Sequence, residues 1–372
     1  MLKGVHLTMM MGPVVPVPVP QVVTDALHEA TVEVGEDRTT FQVSFRLGKR
    51  SALQTLFLLT GGVPLPLRAV LIATLNGLPT VLVDGLVLNQ QVSPGGDGAG
   101  SVLTLSGEDL SAAMNLQEFT GLPYPAMTVE AQVAVILAKY AVLGIVPMVI
   151  PTPFPDVPLP TERIPLHAGT DLAHLRERAR WVGYTFHMLS PAPLVNVAYW
   201  GPKLRIGPPQ PALNTDMDAY TNVSSLHFGF ENRDREQPVL QVQIPNTTRW
   251  MPVPLPDVSL LNPPLGLVEP LPSKVTFVSG TGGLTPVQVA LYGLANAAGS
   301  LDSTTADGTL DVTRYGSILQ ARSLVGVRGA GLAFDGLYFV SRVGHRIRRG
   351  DYTQDFHLVR NGLVSTVPVV MS

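Results

Sequence analysis

The chain has no cysteine, which excludes disulfides, thiolate nucleophiles and thiolate metal ligands, and fits assembly in a reducing cytoplasm. Charge is scarce as well. Asp, Glu, Lys and Arg make up 14% of the 372 residues, whereas roughly a quarter to a third of a free soluble domain's surface is charged. Aromatic residues are 6% and scattered, which argues against a carbohydrate-binding sandwich with clustered exposed rings. No apolar run is long enough to cross a membrane, which takes about 20 residues. The most apolar stretch, Val129 to Ile150, is broken by Glu130, Lys139 and Pro147, and reads as a buried helix followed by a loop. Met1-Leu2-Lys3 lacks a basic start leading into a continuous apolar stretch, and Val15 to Pro20 alternates Val with Pro, so no secretory leader is expected. A net charge of −3 argues against a general nucleic-acid binder, which usually carries a basic stripe. Arg176, Arg178 and Arg180 form the densest basic run and are expected on the solvated side of a helix.

Apolar residues are plentiful, at 45%. That is too apolar for disorder, and the length suggests two or three units. A chain with so few charges either encloses a large core or covers much of its outside with partners. Its moderate size favours the second.

The cleanest strand is Thr39 to Leu47, where Phe41, Val43, Phe45 and Leu47 alternate with Gln42, Ser44 and Arg46. A meander is expected next: Arg68 to Leu75, a turn at Asn76-Gly77, Thr80 to Val83, a turn at Asp84-Gly85, and Leu86 to Val92. After a glycine-rich loop at 94–100, Val102 to Leu105 resumes as a strand. Ser106 then reads as the cap of a helix carrying Asp109 at its third position. Thr128 and Thr170 cap two further helices, with Gly144 and Gly183 past their ends, and Tyr184 to Leu189 is a strand. Pro147 to Pro165 is expected as a surface loop or arm. Strands return at 203–206, 224–230 and 239–244. The Pro-studded stretch 245–272 reads as a strap without regular elements. Then come a strand at 274–278, a helix opening at Thr285-Pro286, an acidic loop at 301–311 and a helix at 313–324. A hairpin closes the chain, with strands Leu337 to Ile347 and Tyr352 to Val359 about the Arg349-Gly350-Asp351 turn. The resulting division is 1–105 a first β unit, 106–200 an inserted helical domain, 201–245 a return to the first unit, 246–272 a linker, and 273–372 a second unit with helices.

Chemistry is hard to find. His167 and His174 lie seven apart without a third ligand. Gly280 to Gly283 precedes a helix but lacks the lysine of a phosphate loop. Asp302, Asp307 and Asp311 miss calcium-loop spacing, and the adjacent Glu108 and Asp109 point apart. There is no Gly-x-Ser-x-Gly elbow. No catalytic residue, metal or cofactor is expected.

Three ordered blocks resemble one family. Val102-Leu103-Thr104-Leu105-Ser106-Gly107-Glu108-Asp109-Leu110-Ser111 is similar to its strand-to-helix step. Thr170-Asp171-Leu172 through Gly183-Tyr184-Thr185-Phe186 is similar to its middle-domain helix and strand, followed by Tyr199-Trp200-Gly201-Pro202. The hairpin, with Asp335-Gly336-Leu337-Tyr338, His345, Gly350, Tyr352, Phe356, His357 and Arg360, is similar to its C-terminal signature. The family is that of late control protein D and VgrG-like hubs, the baseplate hubs of contractile phage tails and related injection systems. The resemblance implies an α+β, mainly β fold, with two tube-type antiparallel β-barrels and a helical insertion in the first. It further implies a homotrimer whose six barrels form a pseudo-hexameric ring, adapting a three-fold spike to a six-fold inner tube within a phage tail or tail-like particle. Expected partners are a separate spike protein, inner-tube or tube-initiator proteins and other baseplate components. The spike is expected as a separate chain because the sequence stops at Ser372, ten residues after Gly362. Phe41, Phe45, Gly107, Asp109, Gly183, Tyr184, Gly336, Tyr338, His345, Gly350, Tyr352, Phe356 and Arg360 are the expected structural signature. The alternatives are a tail-associated peptidoglycan hydrolase and a tail-tube or initiator protein.

Overall fold

A computed structural model describes residues 4–47, 67–94, 100–152, 157–161, 164–231, 236–243, 250–254, 263–269, 274–278 and 302–367. The fold is α+β and mainly β. Its first half holds β1 (Val5–Gly12), β2 (Val17–Pro18), β3 (Leu27–Val34), β4 (Thr39–Leu47), β5 (Arg68–Leu75), β6 (Leu78–Ser93) and β7 (Ser101–Asp109). The insert carries β8 (Ile145–Val149), β9 (Tyr184–Ala192) and β10 (Val195–Pro202), together with helices Val129–Ala138 and Asp171–Trp181. After it come β11 (Gln210–Asn214), β12 (Ser225–Phe230), β13 (Glu236–Gln243), β14 (Trp250–Pro254), β15 (Gly266–Val268) and β16 (Lys274–Val278). The chain then finishes with β17 (Thr304–Asp311), β18 (Leu324–Arg328), β19 (Gly336–Arg348), β20 (Asp351–Arg360) and β21 (Leu363–Ser365).

Thirteen strands join into one sheet, in the order β12-β17-β20-β19-β3-β4-β7-β6-β5-β1-β2, with β18 also beside β19 and β11 beside β18. The pairing of β19 with β3 unites residues more than 300 positions apart, such as Gly344 with Glu33. Side chains alternate across it with period two. The row Tyr352, Ile347, Ala30, Val43, Leu105 faces inward and forms part of the main core, while the next row, Thr353, Arg346, Thr31, Gln42, Ser106, faces out. The insert folds on its own smaller core around Trp200, Phe186, Leu175 and Ile136, which Leu86 of β6 joins.

Thr128 and Thr170 cap the two insert helices as expected, each hydroxyl accepting from the backbone N–H three residues on, and Gly183 follows with φ 72°. Elsewhere the structure corrects the sequence reading. Asp84-Gly85 is no turn, because β6 runs straight through it. Buried Asp84 accepts two 2.7 Å bonds from Arg68 and one of 2.9 Å from Asn196, which outweighs the turn preference of the dipeptide. Ser106 caps nothing: β7 continues to Asp109, and Asp109 is itself the cap of a short 3-10 turn, Leu110–Asn115. Part of the expected 147–165 loop is strand β8, and residues 203–206 form no strand, Arg205 instead reaching Asp302 at 2.6 Å. Within 201–245, β11 lies beside β18 and β12 beside β17. The Pro-rich strap holds β14 and β15. Pro252 and Pro254 alternate on β14, which among the described residues pairs only with β13, so the missing N–H groups can face away from the ladder.

The acidic loop expected at 301–311 is strand β17. Its buried residues are Thr304, Ala306, Gly308 and Leu310, of which only Leu310 is a large apolar residue, so the alternation with Thr305, Asp307 and Thr309 does not show. The helix expected at 313–324 is one turn, Val312–Tyr315, stopped by Gly316 at φ 80°. The glycine-rich loops at 95–99 and 280–283 and the helix at Thr285 lie outside the described residues.

Candidate assembly sheet

Each expected signature residue has a definite place in this frame. Phe41 and Phe45 are buried in the core of the first half. Phe41 faces Gly107 directly across the β4–β7 ladder, and a Cβ at Gly107 would stand 2.8 Å from its ring and inside the Leu86 carbonyl. Asp109 is buried. Its carboxylate accepts the Thr39 N–H at 2.6 Å and the Ser111 N–H at 3.0 Å, tying the start of β4 to the turn after β7. Tyr184 packs edge-on against Trp200 and donates its hydroxyl to the Pro151 carbonyl at 2.9 Å, fixing β9 to the segment after β8.

The expected C-terminal signature residues form two anchors. In the first, the Arg360 guanidinium lies 4.4 Å from the centroid of the buried Tyr338 ring. It donates to the carbonyls of Gly362 at 2.7 Å, Ala333 at 2.8 Å and Asp335 at 3.0 Å, and so holds the loop that enters β19 against the end of β20. Gly336, at φ 121°, lies beneath this arginine, and a Cβ there would collide with Ser365. Burial pulls the Arg360 guanidinium below its usual range and pushes the Tyr338 hydroxyl up to about 12.

In the second anchor, buried His345 shares a 2.8 Å hydrogen bond between Nδ1 and the Tyr352 hydroxyl. Gln354 completes it by accepting the Leu319 N–H at 3.0 Å and donating to the Leu319 carbonyl at 2.8 Å. Burial alone pulls His345 down to about 4, so the ring is neutral at pH 7. The histidines expected to face each other only in one register do not: His345 stands opposite Gln354, and His357 opposite Arg342. Phe356 fills the core opposite Gly308 of β17, and Gly350, at φ 91°, makes the hairpin turn.

The outward face of the β3–β19 seam carries ion pairs. Glu29 on β3 takes Arg346 at 2.5 Å and Arg348 at 3.0 Å from β19, and Arg342 reaches Glu33 at 3.4 Å. Burial would raise the Glu29 carboxyl, but the hydrogen bonds from Arg346 and Arg348 hold it below its usual range. These cross-strand pairs stitch the two halves at their seam. Sequence reading missed them because the partners are more than 300 residues apart. His167 and His174 are stacked with ring centroids 4.3 Å apart, and His167 meets the Tyr124 hydroxyl at 2.8 Å. Among the described residues no group of three or more His, Asp or Glu is placed to hold a metal ion, and no helix is long and apolar enough to cross a membrane.

Among the described residues three strands of the sheet have a single neighbour: β12, β2 and β11, the last beside β18 alone. Among the described residues β12 pairs only with β17, exposing Phe230 at 41%, and at the far end two-residue β2 pairs only with β1. An unpaired edge is a template for another strand.

No protein-family model and no curated protein matches the chain. Solved structures do. A tail protein from Neisseria meningitidis MC58 superposes with a TM-score of 0.61 at 15% identity, covering 97% of this chain and 98% of that one. The 43 kDa tail protein of prophage MuSo2 from Shewanella oneidensis gives 0.61 at 14% identity, covering 96% and 98%. A chain of the Francisella PdpA-VgrG complex gives 0.61 at 9% identity, covering all of this chain and 55% of that one. At these identities the likeness is one of fold.

Proposed function

We propose that this chain is a structural hub of a phage tail or tail-like injection particle. Three copies close a ring that offers three-fold symmetry to a spike and six-fold symmetry to an inner tube. The observation that carries the reading is the end-to-end match: nearly the whole of this chain superposes on nearly the whole of a tail protein. The sheet supports it physically. Among the described residues the terminal strands β12, β2 and β11 are unlike one another, so two different edges can meet head to tail, and such contacts close into rings when the rotation per copy permits. Two β halves per chain then give six units from three chains. Each half is a tube-type barrel in this reading, and the signature residues act as packing anchors rather than reacting groups. The sparse charge follows from surface given over to neighbours. The spike, the tube or its initiator and the remaining baseplate proteins are the expected partners.

Light scattering behind a sizing column tests the ring. A mass near three times 39.8 kDa is expected, and Phe230→Asp, at the exposed end of β12, should release monomers that keep the parent circular-dichroism spectrum. A chain that stays monomeric both alone and after co-expression with a spike-type partner would overturn the reading.

A further inference from the structure

Where the insert meets the β body there is a cleft of about 630 Å³, within the size range of a binding pocket. Its charges do not balance locally. Three carboxylates line it, and each is already engaged. Glu36 is held by Lys203 at 2.8 Å through both oxygens, Asp302 by Arg205 at 2.6 Å through both, and Asp37 accepts the Thr185 hydroxyl at 2.9 Å.

Three guanidiniums line the same cleft, and among the described residues none forms an ion pair. Arg176 gives only its Nη2, to the Asp37 backbone carbonyl at 3.1 Å, and Arg180 is exposed. These two stand four apart on the Asp171–Trp181 helix, a spacing at which like charges face each other and repel. Arg178, between them in sequence, points elsewhere and lies 4.0 Å from Glu177. The basic run is therefore split: it was expected on a solvated face, but two of its three members line the cleft.

The third guanidinium, Arg322, holds a left-handed backbone at φ 62°, costly for a residue with a Cβ. Its Nε donates to the Glu36 carbonyl at 3.0 Å and its Nη1 to the Met188 carbonyl at 3.0 Å, while Nη2 has no partner. Burial pulls this guanidinium down to about 10, against the opposing influence of Asp109, Asp37 and Glu36, so it remains charged at pH 7. Beside these cations the cleft leaves two leucines open to solvent, Leu189 at 37% and Leu204 at 40%.

We propose that this cleft is a docking site for an acidic segment of a partner polypeptide. Carboxylates of the segment face Arg176, Arg180 and Arg322, and a large apolar side chain covers Leu189 and Leu204. The charge complementarity selects this occupant. The site stands on its own geometry and does not depend on ring formation.

The test uses the purified full chain and two fluorescein-labelled octapeptides, one built from Glu and Leu and one with every Glu replaced by Gln, read by fluorescence anisotropy. The acidic peptide should bind, the amide peptide should not, and rising salt should weaken binding. The double variant Arg176→Ala/Arg180→Ala should keep its thermal melting point, since both side chains reach solvent, yet lose at least about tenfold in affinity. Arg322→Lys, which keeps the charge but breaks the fork to two carbonyls, should weaken binding less than the double variant. Failure of the acidic peptide to bind, equal binding of both peptides, or an unchanged affinity in the double variant overturns the proposal. Full displacement by inorganic phosphate alone would also overturn it, reassigning the cleft to small oxyanions.

Discussion

Phe41 and Phe356 do the same work in two halves of the sheet whose sequences show no visible repeat. Each stands directly opposite a glycine on the neighbouring strand, Phe41 opposite Gly107 and Phe356 opposite Gly308. Each ring lies so close over it that a Cβ would stand 2.8 Å from one ring and 2.5 Å from the other. Glycine weakens a strand by itself, and a ring laid across it recovers the lost packing. The strand under each ring then ends in an aspartate that caps the following turn, Asp109 in the first half and Asp311 in the second. What differs is the surrounding core. The first half contributes Val43, Phe45, Leu71, Leu103 and Leu105 to the shared core, whereas the second half inserts the His345, Tyr352 and Gln354 network. The packing device repeats, whereas the histidine–tyrosine–glutamine network lies in the second half.

The comparison breaks most sharply at the rings. Phe41→Ala and Phe356→Ala should each cost about 3–5 kcal/mol in urea unfolding, because each removes a buried aromatic and leaves a cavity beside a glycine that cannot fill it. Equal costs would confirm equivalent roles. A Phe356→Ala protein as stable as its parent would remove that ring from the core.

Protonation should separate the halves. Among the described residues the buried histidines are His167, His174, His187 and His345, all outside β1–β7. Burial holds His345 near 4 against the ordinary 6.5, so below pH 6.5 the unfolded chain takes up a proton that the folded chain refuses. Stability is therefore full above pH 6.5 and falls as pH drops toward 4, by up to about 3 kcal/mol for this group. His174 and His187, each near 3, act in the same direction from within the insert. His345→Gln should flatten the slope of melting temperature against pH between 6.5 and 4 in proportion to its share. An unchanged slope would assign the whole effect to the insert.

Much of this architecture was legible where a strand has one apolar face. Thr39 to Leu47, the C-terminal hairpin and the two threonine-capped helices carried their signals locally. β17 stayed hidden because its inward residues are Thr, Ala and Gly, which leave room for Phe356 instead of announcing a core strand. β6 was misread because buried Asp84 finds Arg68 and Asn196, partners no local window contains. The seam pairs of Glu29 with Arg346 and Arg348 and the cleft around Arg322 depend on which distant strands adjoin, and period and propensity carry no such information.

The glycines sharpen the comparison at smaller scale. Gly107→Ala forces a methyl into the Leu86 backbone carbonyl as well as the Phe41 ring, and a carbonyl in the middle of a ladder has nowhere to go. Gly308→Ala meets the Phe356 ring at 2.5 Å and the Ser225 carbonyl at 2.6 Å, the latter on edge strand β12, which can shift outward. Both should fall in the range of about 1–3 kcal/mol for overpacking, with Gly107 the costlier. The reverse order in urea midpoints would mean that β12 is pinned rather than free.

The smallest effect concerns the two capping aspartates. Asp109 is buried and serves two chain segments, the Thr39 N–H at 2.6 Å and the Ser111 N–H at 3.0 Å, so Asp109→Ala strands two backbone donors away from water. Asp311 is half exposed and caps only its own turn, accepting from the Thr313 and Arg314 N–H groups at 2.7 and 3.2 Å, which water replaces readily. Burial would raise its carboxyl, but the Thr313 hydroxyl, which donates to it at 2.5 Å, and then those backbone bonds hold it below the usual range. Within the span of about 0.5–2 kcal/mol for losing a cap, Asp109→Ala should lie at the top and Asp311→Ala at the bottom. Asn at either position keeps an acceptor oxygen and should restore most of the loss. If Asp311→Ala proves as costly as Asp109→Ala in matched unfolding curves, the turn after β17 is covered by a neighbour in solution, and the two halves are more alike than the single chain suggests.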